Sequence, residues 1–223
     1  MPRVALSLLF ICSLALVSPL ADGQKRAVSP DLSGVPDGKG WVLFNRAATL
    51  FVDGEKKGVR LSEMPGDGAA WLEGVEFEKG SIEFDVRGKD VFQRSFVGIA
   101  FHALDDKTYD AVYFRPFNFR NPDPERRSHA VQYISHPSHT WQRLRTENPG
   151  QYEKPVEPAP DPNGWFHARI DIAGSEVRVY VNGAAAPALV VKQLSSRGRG
   201  KLGLWCGNTS GGDFAKLKII SAE

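Results

Sequence analysis

The last third of the chain, Trp165 to Ile220, constrains the fold most. It reads as four strand patterns: Trp165–Ala173, Glu176–Val181, Gly200–Trp205 and Gly212–Ile220. In the second, Val177, Val179 and Val181 alternate with Arg178 and Tyr180, which puts one face in a core and the other outside. Asn182-Gly183 follows at once, and these two residue types supply the positive φ angles that a two-residue hairpin turn demands. A chain that ends this way is committed to antiparallel sheet.

The start of the chain reads as an export signal. Arg3 gives a short positive region, and Val4 to Val17 is an apolar run too short to span a bilayer. Ala21-Asp22-Gly23 then offers small residues where a signal peptidase cuts. The expected parts are a signal peptide over 1–23, a linker or loosely docked N-terminal arm over 24–38, and one domain over 39–223. The protein is expected to be secreted or periplasmic, off the membrane once the signal is removed. The net charge of +2 gives no reason to expect nucleic acid as a partner. Of the two cysteines, Cys12 would leave with the signal, so Cys206 stands alone and reads as a small buried hydrophobe.

Further strand patterns lie at Trp41–Phe44, Thr49–Val52, Gly58–Leu61, Ala69–Leu72, Ile82–Val86, Ser95–His102, Tyr109–Arg115 and His129–Ile134. Short strands separated by Gly, Asp and Asn turns predict an all-β, two-sheet antiparallel sandwich. One helical turn is expected near His139–Leu144. Residues 116–162 break the rhythm, holding nine of the fifteen prolines. Proline donates no ladder hydrogen bond, so the run from Pro149 to Gly164 is not expected to be strand. Trp141 and Tyr152 argue that it is ordered. The segment is expected to be a proline-rich flap over one sheet.

The strands leading into this flap carry the polar side chains a ligand needs. Period-2 alternation puts Tyr113 and Arg115 on one face of their strand, Gln132 on one face of the next, and His102 with Gly98 and Ala100 on the strand before. Asn118 follows in the loop. The candidate ligand-binding residues are His102, Tyr113, Arg115, Asn118, Gln132 and Trp141, a mixture of planar hydrogen-bonding groups and rings that suits a sugar. Arg115 and Gln132 serve equally well as anchors for the flap backbone. Glu83, Asp85 and Arg87 alternate with apolar residues and read as a solvated face. His136 and His139, three apart beside a proline, fall short of the ligand set zinc needs.

Over residues 40–220 the order of these pieces resembles the concanavalin A-like jelly rolls, including laminin G-like domains. The last sixty residues carry the most specific part of the likeness. Gly80-Ser-Ile-Glu-Phe-Asp-Val-Arg87 and Phe96-Val-Gly-Ile-Ala-Phe101 are similar to strands of secreted bacterial 3-keto-disaccharide hydrolase-like domains, although the Asn-Ser pair of the second strand has no counterpart. Glu83-Phe-Asp85 matches half of the Glu-x-Asp-x-x-Glu strand of laminarinase-type hydrolases, but Gly88 stands where the second glutamate would be. A retaining mechanism would then lack its general acid.

The resemblance implies a concanavalin A-like jelly roll that binds carbohydrate, non-catalytic or accessory to glycan degradation. Two other readings stay open: a glycoside hydrolase or lyase acting on a modified disaccharide, and a laminin G-like protein-binding module. No cofactor is required. The resemblance also implies a possible structural calcium, with Asp213 as its carboxylate. A monomer is expected, and its expected partner is a glycan or disaccharide.

Overall fold

The computed structural model describes residues 26–222. The expected signal peptide lies outside them. In chain order the strands are β1 (Arg26–Val28), β2 (Trp41–Phe44), β3 (Ala48–Asp53), β4 (Lys56–Met64), β5 (Gly68–Phe77), β6 (Gly80–Arg87), β7 (Val97–Ala103) and β8 (Asp110–Phe114). Two helical turns follow, α1 (Pro116–Phe119) and α2 (Pro124–Arg127), then β9 (Val131–Ser135), α3 (Trp141–Glu147) and β10 (Glu153–Lys154). The chain closes with β11 (Phe166–Ala173), β12 (Glu176–Val181), β13 (Leu189–Lys192), β14 (Gly200–Cys206) and β15 (Ser210–Ser221).

These strands form two antiparallel sheets. The first has the order β13-β12-β11-β6-β15-β4-β3, with β1 also paired to β15; the second has the order β10-β9-β8-β7-β14-β5-β2. The architecture is the two-sheet antiparallel sandwich that the strand patterns predicted, in the jelly-roll form that the resemblance implied. Side chains from the two inner faces meet between the sheets. Phe114 of β8 and Phe166 of β11 pack edge to face with ring centroids 5.0 Å apart, a geometry worth about 0.5–1.5 kcal/mol beyond the area buried. Ile82, Phe84, Val86, Val97, Ile99 and Phe101 are fully buried on these inner faces.

The turns follow local residue chemistry. Gly174, at φ +57°, closes the two-residue link between β11 and β12, where Ala173 pairs with Glu176. Gly54, at φ +59°, does the same between β3 and β4, where Asp53 pairs with Lys56. Asn182 and Gly183 form the expected turn, with φ +51° and +70° and a 3.0 Å hydrogen bond from the Ala184 N–H to the Val181 carbonyl. That turn opens a longer link, however. β13 begins only at Leu189, so the β12–β13 hairpin is not a two-residue one.

Three expectations are corrected. The segment from Arg26 to Gly38 is neither linker nor loose arm: β1 pairs with β15, and a 3-10 helix at Leu32–Asp37 is capped by Asp31 and buries Val35 completely. The proline-rich stretch after Pro149 does contain strand, because Glu153–Lys154 pairs with β9 as an edge of the second sheet. Residues 116–162 are accordingly a set of short helices and edge strands. α1, α2 and α3 each carry residues that line one cleft together with Tyr113 and Trp205 of the second sheet. β13, Leu189–Lys192, was not among the expected strands.

Candidate functional site

The outer face of the second sheet is built around Gly98. In register it lies between Tyr113 of β8 and Trp205 of β14. With no side chain at Gly98, the Tyr113 and Trp205 rings approach to 5.1 Å. A Cβ at Gly98 would sit 2.6 Å from the Tyr113 Cα and 2.8 Å from its Cβ, and would press on the Val112 carbonyl. Phe96 packs edge-on against Tyr113 and Phe117, with centroids at 6.1 and 5.5 Å. The result is an aromatic floor for an open cleft of about 860 Å³.

The cleft has two chemically distinct ends. Tyr109 and Arg115 are six residues apart on one strand face, which sets them about 20 Å apart. At the Tyr109 end the tyrosine hydroxyl donates to Asp67 at 2.9 Å and accepts from the Trp205 indole at 3.1 Å. His136 stacks on the Tyr109 ring at 5.1 Å and 7°.

At the Arg115 end lies a buried polar network. The Arg115 guanidinium donates to the His129 carbonyl at 2.9 Å, to the Tyr113 hydroxyl at 2.7 Å and to the Gln132 Oε1. Tyr113 donates in turn to the same Gln132 oxygen at 2.8 Å. Behind them Glu153 takes a two-pronged contact from Arg145 at 2.9 and 2.7 Å, and His129 Nδ1 lies 2.9 Å away. Burial pulls the Arg115 guanidinium below its ordinary value and pushes the Tyr113 phenol up to about 12, so the phenol stays a neutral donor. Burial also lowers the His129 imidazole despite Glu153 beside it.

The walls come from the short elements. Asn118 on α1 donates to the His129 carbonyl at 3.3 Å, while its Oδ1 is buried and has no partner. Trp141, 40% exposed, lies on α3 one turn before Arg145, whose guanidinium sits 5.0 Å over its ring. Opposite, the exposed Phe92 carries the Arg126 guanidinium at 4.6 Å. The cleft therefore offers rings for stacking and guanidinium donors.

Of the residues singled out in the sequence, Tyr113, Arg115, Asn118 and Trp141 all line this cleft. Gln132 shares their face but is wholly buried beneath Tyr113 and Arg115, with its Nε2 unpartnered. Its amide orientation is fixed, because a guanidinium can only donate to it. His102 is not in the cleft. Phe101 and His102 together oppose Leu202, since Ala100 pairs with Gly203 and Ala103 with Lys201. This bulge, with His102 at φ +50°, turns the imidazole away from the outer face. His102 is buried against Phe77 and held by the Glu78 carbonyl at 2.7 Å and Gln193 at 3.0 Å. Asp213 faces the other sheet's surface, where Arg60 and Arg87 donate to both of its oxygens at 2.6–3.0 Å. Two guanidiniums occupy the carboxylate proposed for calcium, and no group of three or more His, Cys, Asp or Glu residues among the described residues is placed to hold a metal ion.

Sequence reasoning missed Trp205, Phe92, Asp67, Arg145 and Glu153. Only Arg145 had a local signal, its i,i+4 spacing from Trp141 inside a helical turn. Cys206 is buried as expected, and burial pushes its thiol up to about 12. Asp85, on the expected solvated face, is more enclosed than predicted, paired with Lys56 and 2.9 Å from His167.

Three solved structures place the architecture. A carbohydrate-binding module, CBM66 from Bacillus subtilis, superposes with a TM-score of 0.56 at 16% identity, covering 81% of this chain and 95% of that one. A Bacillus subtilis protein of unknown function with a galectin-like fold gives 0.55 at 15% identity over 86% and 92% of the two chains. The exoplasmic/lumenal domain of VIP36, in a form with Ca2+ and Man3GlcNAc bound, gives 0.52 at 8% identity over 85% and 87%. No family model matches the chain, and no curated protein matches it. At these identities the likeness is one of fold alone, and the fold is the two-sheet antiparallel jelly roll.

Proposed function

We propose that this protein is an exported carbohydrate-binding domain that holds its ligand in the cleft on the outer face of the second sheet, without cleaving it. The observation that carries this is an open cleft of about 860 Å³ whose lining joins the exposed rings of Trp141 and Phe92 to the Arg145 and Arg126 guanidiniums. Rings stack on the apolar faces of pyranoses, and the exposed Trp141 and Phe92 line the cleft. The solved structures sharing the fold include proteins described as carbohydrate-binding, which agrees with this reading.

Non-catalytic binding is favoured because two of the three carboxylates lining the cleft, Asp67 and Asp123, have other partners and only Glu125 does not. Asp67 accepts from Tyr109, and Asp123 caps α2 by accepting from the Glu125 N–H at 2.9 Å. Glycoside hydrolysis would need two carboxyl groups held facing each other across the bond. A glycan array followed by calorimetry tests the proposal. The expected result is saturable binding with no product on prolonged incubation. An array without a hit would overturn the binding role, and turnover of a bound glycan would replace it with catalysis. N-terminal sequencing of the exported protein should begin near Gln24; a retained Met1 would reject processing at the Ala21–Gly23 site.

A further inference from the structure

We infer that the glycan this cleft takes is acidic, and that the carboxylate of a hexuronic acid residue seats at the Arg115–Arg145 end. The inference rests on the binding role proposed above and names its ligand class. It comes from a charge count at the cleft floor. One carboxylate, Glu153, is shared by two guanidiniums: Arg145 holds both of its oxygens, and Arg115 stands 3.5 Å away. Burial keeps the nearby His129 neutral above its lowered value. One positive charge is left over in a cluster where Arg115 is 4% and Glu153 2% exposed while the Arg145 side chain is 34% exposed, so the spare charge faces the cleft. A partly desolvated guanidinium there favours an incoming anion.

The donors for that anion are in place. Arg145 uses its Nε and one terminal nitrogen on Glu153, and its Nη1 makes no hydrogen bond among the described residues. Its side chain is 34% exposed and lines the cleft beside Trp141. A pyranose stacked on Trp141 would therefore carry a C5 carboxylate within reach of this nitrogen. The remaining cleft carboxylates offset the field only weakly: Glu125 is the smallest of the influences on Arg145 and His129. Asp123 and Glu125 stand on the exposed rim, where Asp123 faces Arg126 at 3.6 Å and solvent screens both. Asp67 lies at the far end, on the Tyr109 hydroxyl. Its charge would repel a carboxylate placed there, so the two ends together orient the chain.

The test uses trisaccharides of galacturonate, glucuronate and mannuronate, each against its carboxyl-reduced neutral counterpart, by calorimetry on the whole protein. At least one acid form should bind about tenfold or more tighter than its reduced partner, the scale of a charge-assisted hydrogen bond. That advantage should shrink as salt rises and disappear in Arg145→Gln, whose melting profile establishes that it is folded. Equal affinity for an acid and its reduced form would overturn the inference, as would an advantage that survives Arg145→Gln in folded protein. The two proposals also separate. Neutral glycans binding while every uronate fails would remove only the acidic ligand, whereas no binding to any glycan would remove the binding role as well. The acid-versus-reduced comparison is decisive on the unmodified protein even if the variant does not fold.

Discussion

Arg115 shows how one side chain can line a site and still be a structural part. Its bonds to Tyr113, Gln132 and the His129 carbonyl hold β8, β9 and the chain after α2 together. Arg115→Ala would leave Glu153, the Tyr113 hydroxyl and the Gln132 Oε1 each with one partner fewer. Removing one member of a buried charged network costs about 3–5 kcal/mol. The expected outcome is a clear drop in melting temperature without any ligand; an unchanged melt would show that the network is loose. Trp141 is the opposite case. It is exposed and packs mainly against Arg145, so Trp141→Ala should leave the melt within about 0.5 kcal/mol of wild type. Glycan affinity should fall by about 1 kcal/mol or more, the size of one ring stack. Loss of stability with unchanged affinity would place the ligand elsewhere.

At the scale of strands and turns, two glycines make different demands. Gly98 is a matter of space: the rings of Tyr113 and Trp205 meet over it, and a Cβ would run into the Tyr113 backbone. Gly98→Ala should destabilise by about 1–3 kcal/mol as overpacking and should also weaken ligand binding, because Tyr113 must shift. Gly183 has open space around it and a φ of +70°. Gly183→Val should cost about 1–3 kcal/mol through backbone strain alone and leave ligand affinity unchanged. Denaturant melts paired with calorimetry on both variants separate crowding from conformation. The strand bearing Tyr113, Arg115 and their neighbours was legible from alternation. Glu153 was not, because two residues between prolines carry no strand signal, and only pairing with β9 brings them beside Gln132.

For the whole molecule, the buried charges set the response to acid. Burial by itself would raise the Asp213 carboxyl, but the hydrogen bonds and charges of Arg60 and Arg87 outweigh it and hold the group below the usual carboxylate range. Lys56 and His167 outweigh burial at Asp85 in the same way. A carboxylate whose folded value is depressed contributes stability that is present above its unfolded value and is lost as pH falls through the folded one. His129 acts in the same direction. Its folded value lies below the ordinary imidazole value, so protonation disfavours the folded state as pH falls. The melting temperature should therefore decline in two stages on acidification, the first below the ordinary imidazole value and the second in the carboxylate range. Asp213→Asn should be less stable at neutral pH and should flatten the second stage. An acid limb as steep as wild type would mean that Asp213 contributes nothing to it.

The sequence by itself determined where glycine turns the chain, that the strands alternate between core and surface, that the product is a two-sheet sandwich, and most of the strands, but not β1, β10 or β13. These are local properties, set by the period-2 geometry of extended backbone and by residues that tolerate positive φ. It also placed Tyr113 and Arg115 on a common face, because no irregularity interrupts β8. Tertiary structure alone decided the rest. The bulge at Phe101 and His102 is a one-residue slip against Leu202, and a slip of one residue reverses the face of a side chain that simple alternation assigned. The Glu153 carboxylate, the Arg145 guanidinium and the far wall of the cleft come together only through pairings between distant segments. The local pattern of a strand fixes which way its side chains point, and its partners fix what those side chains meet.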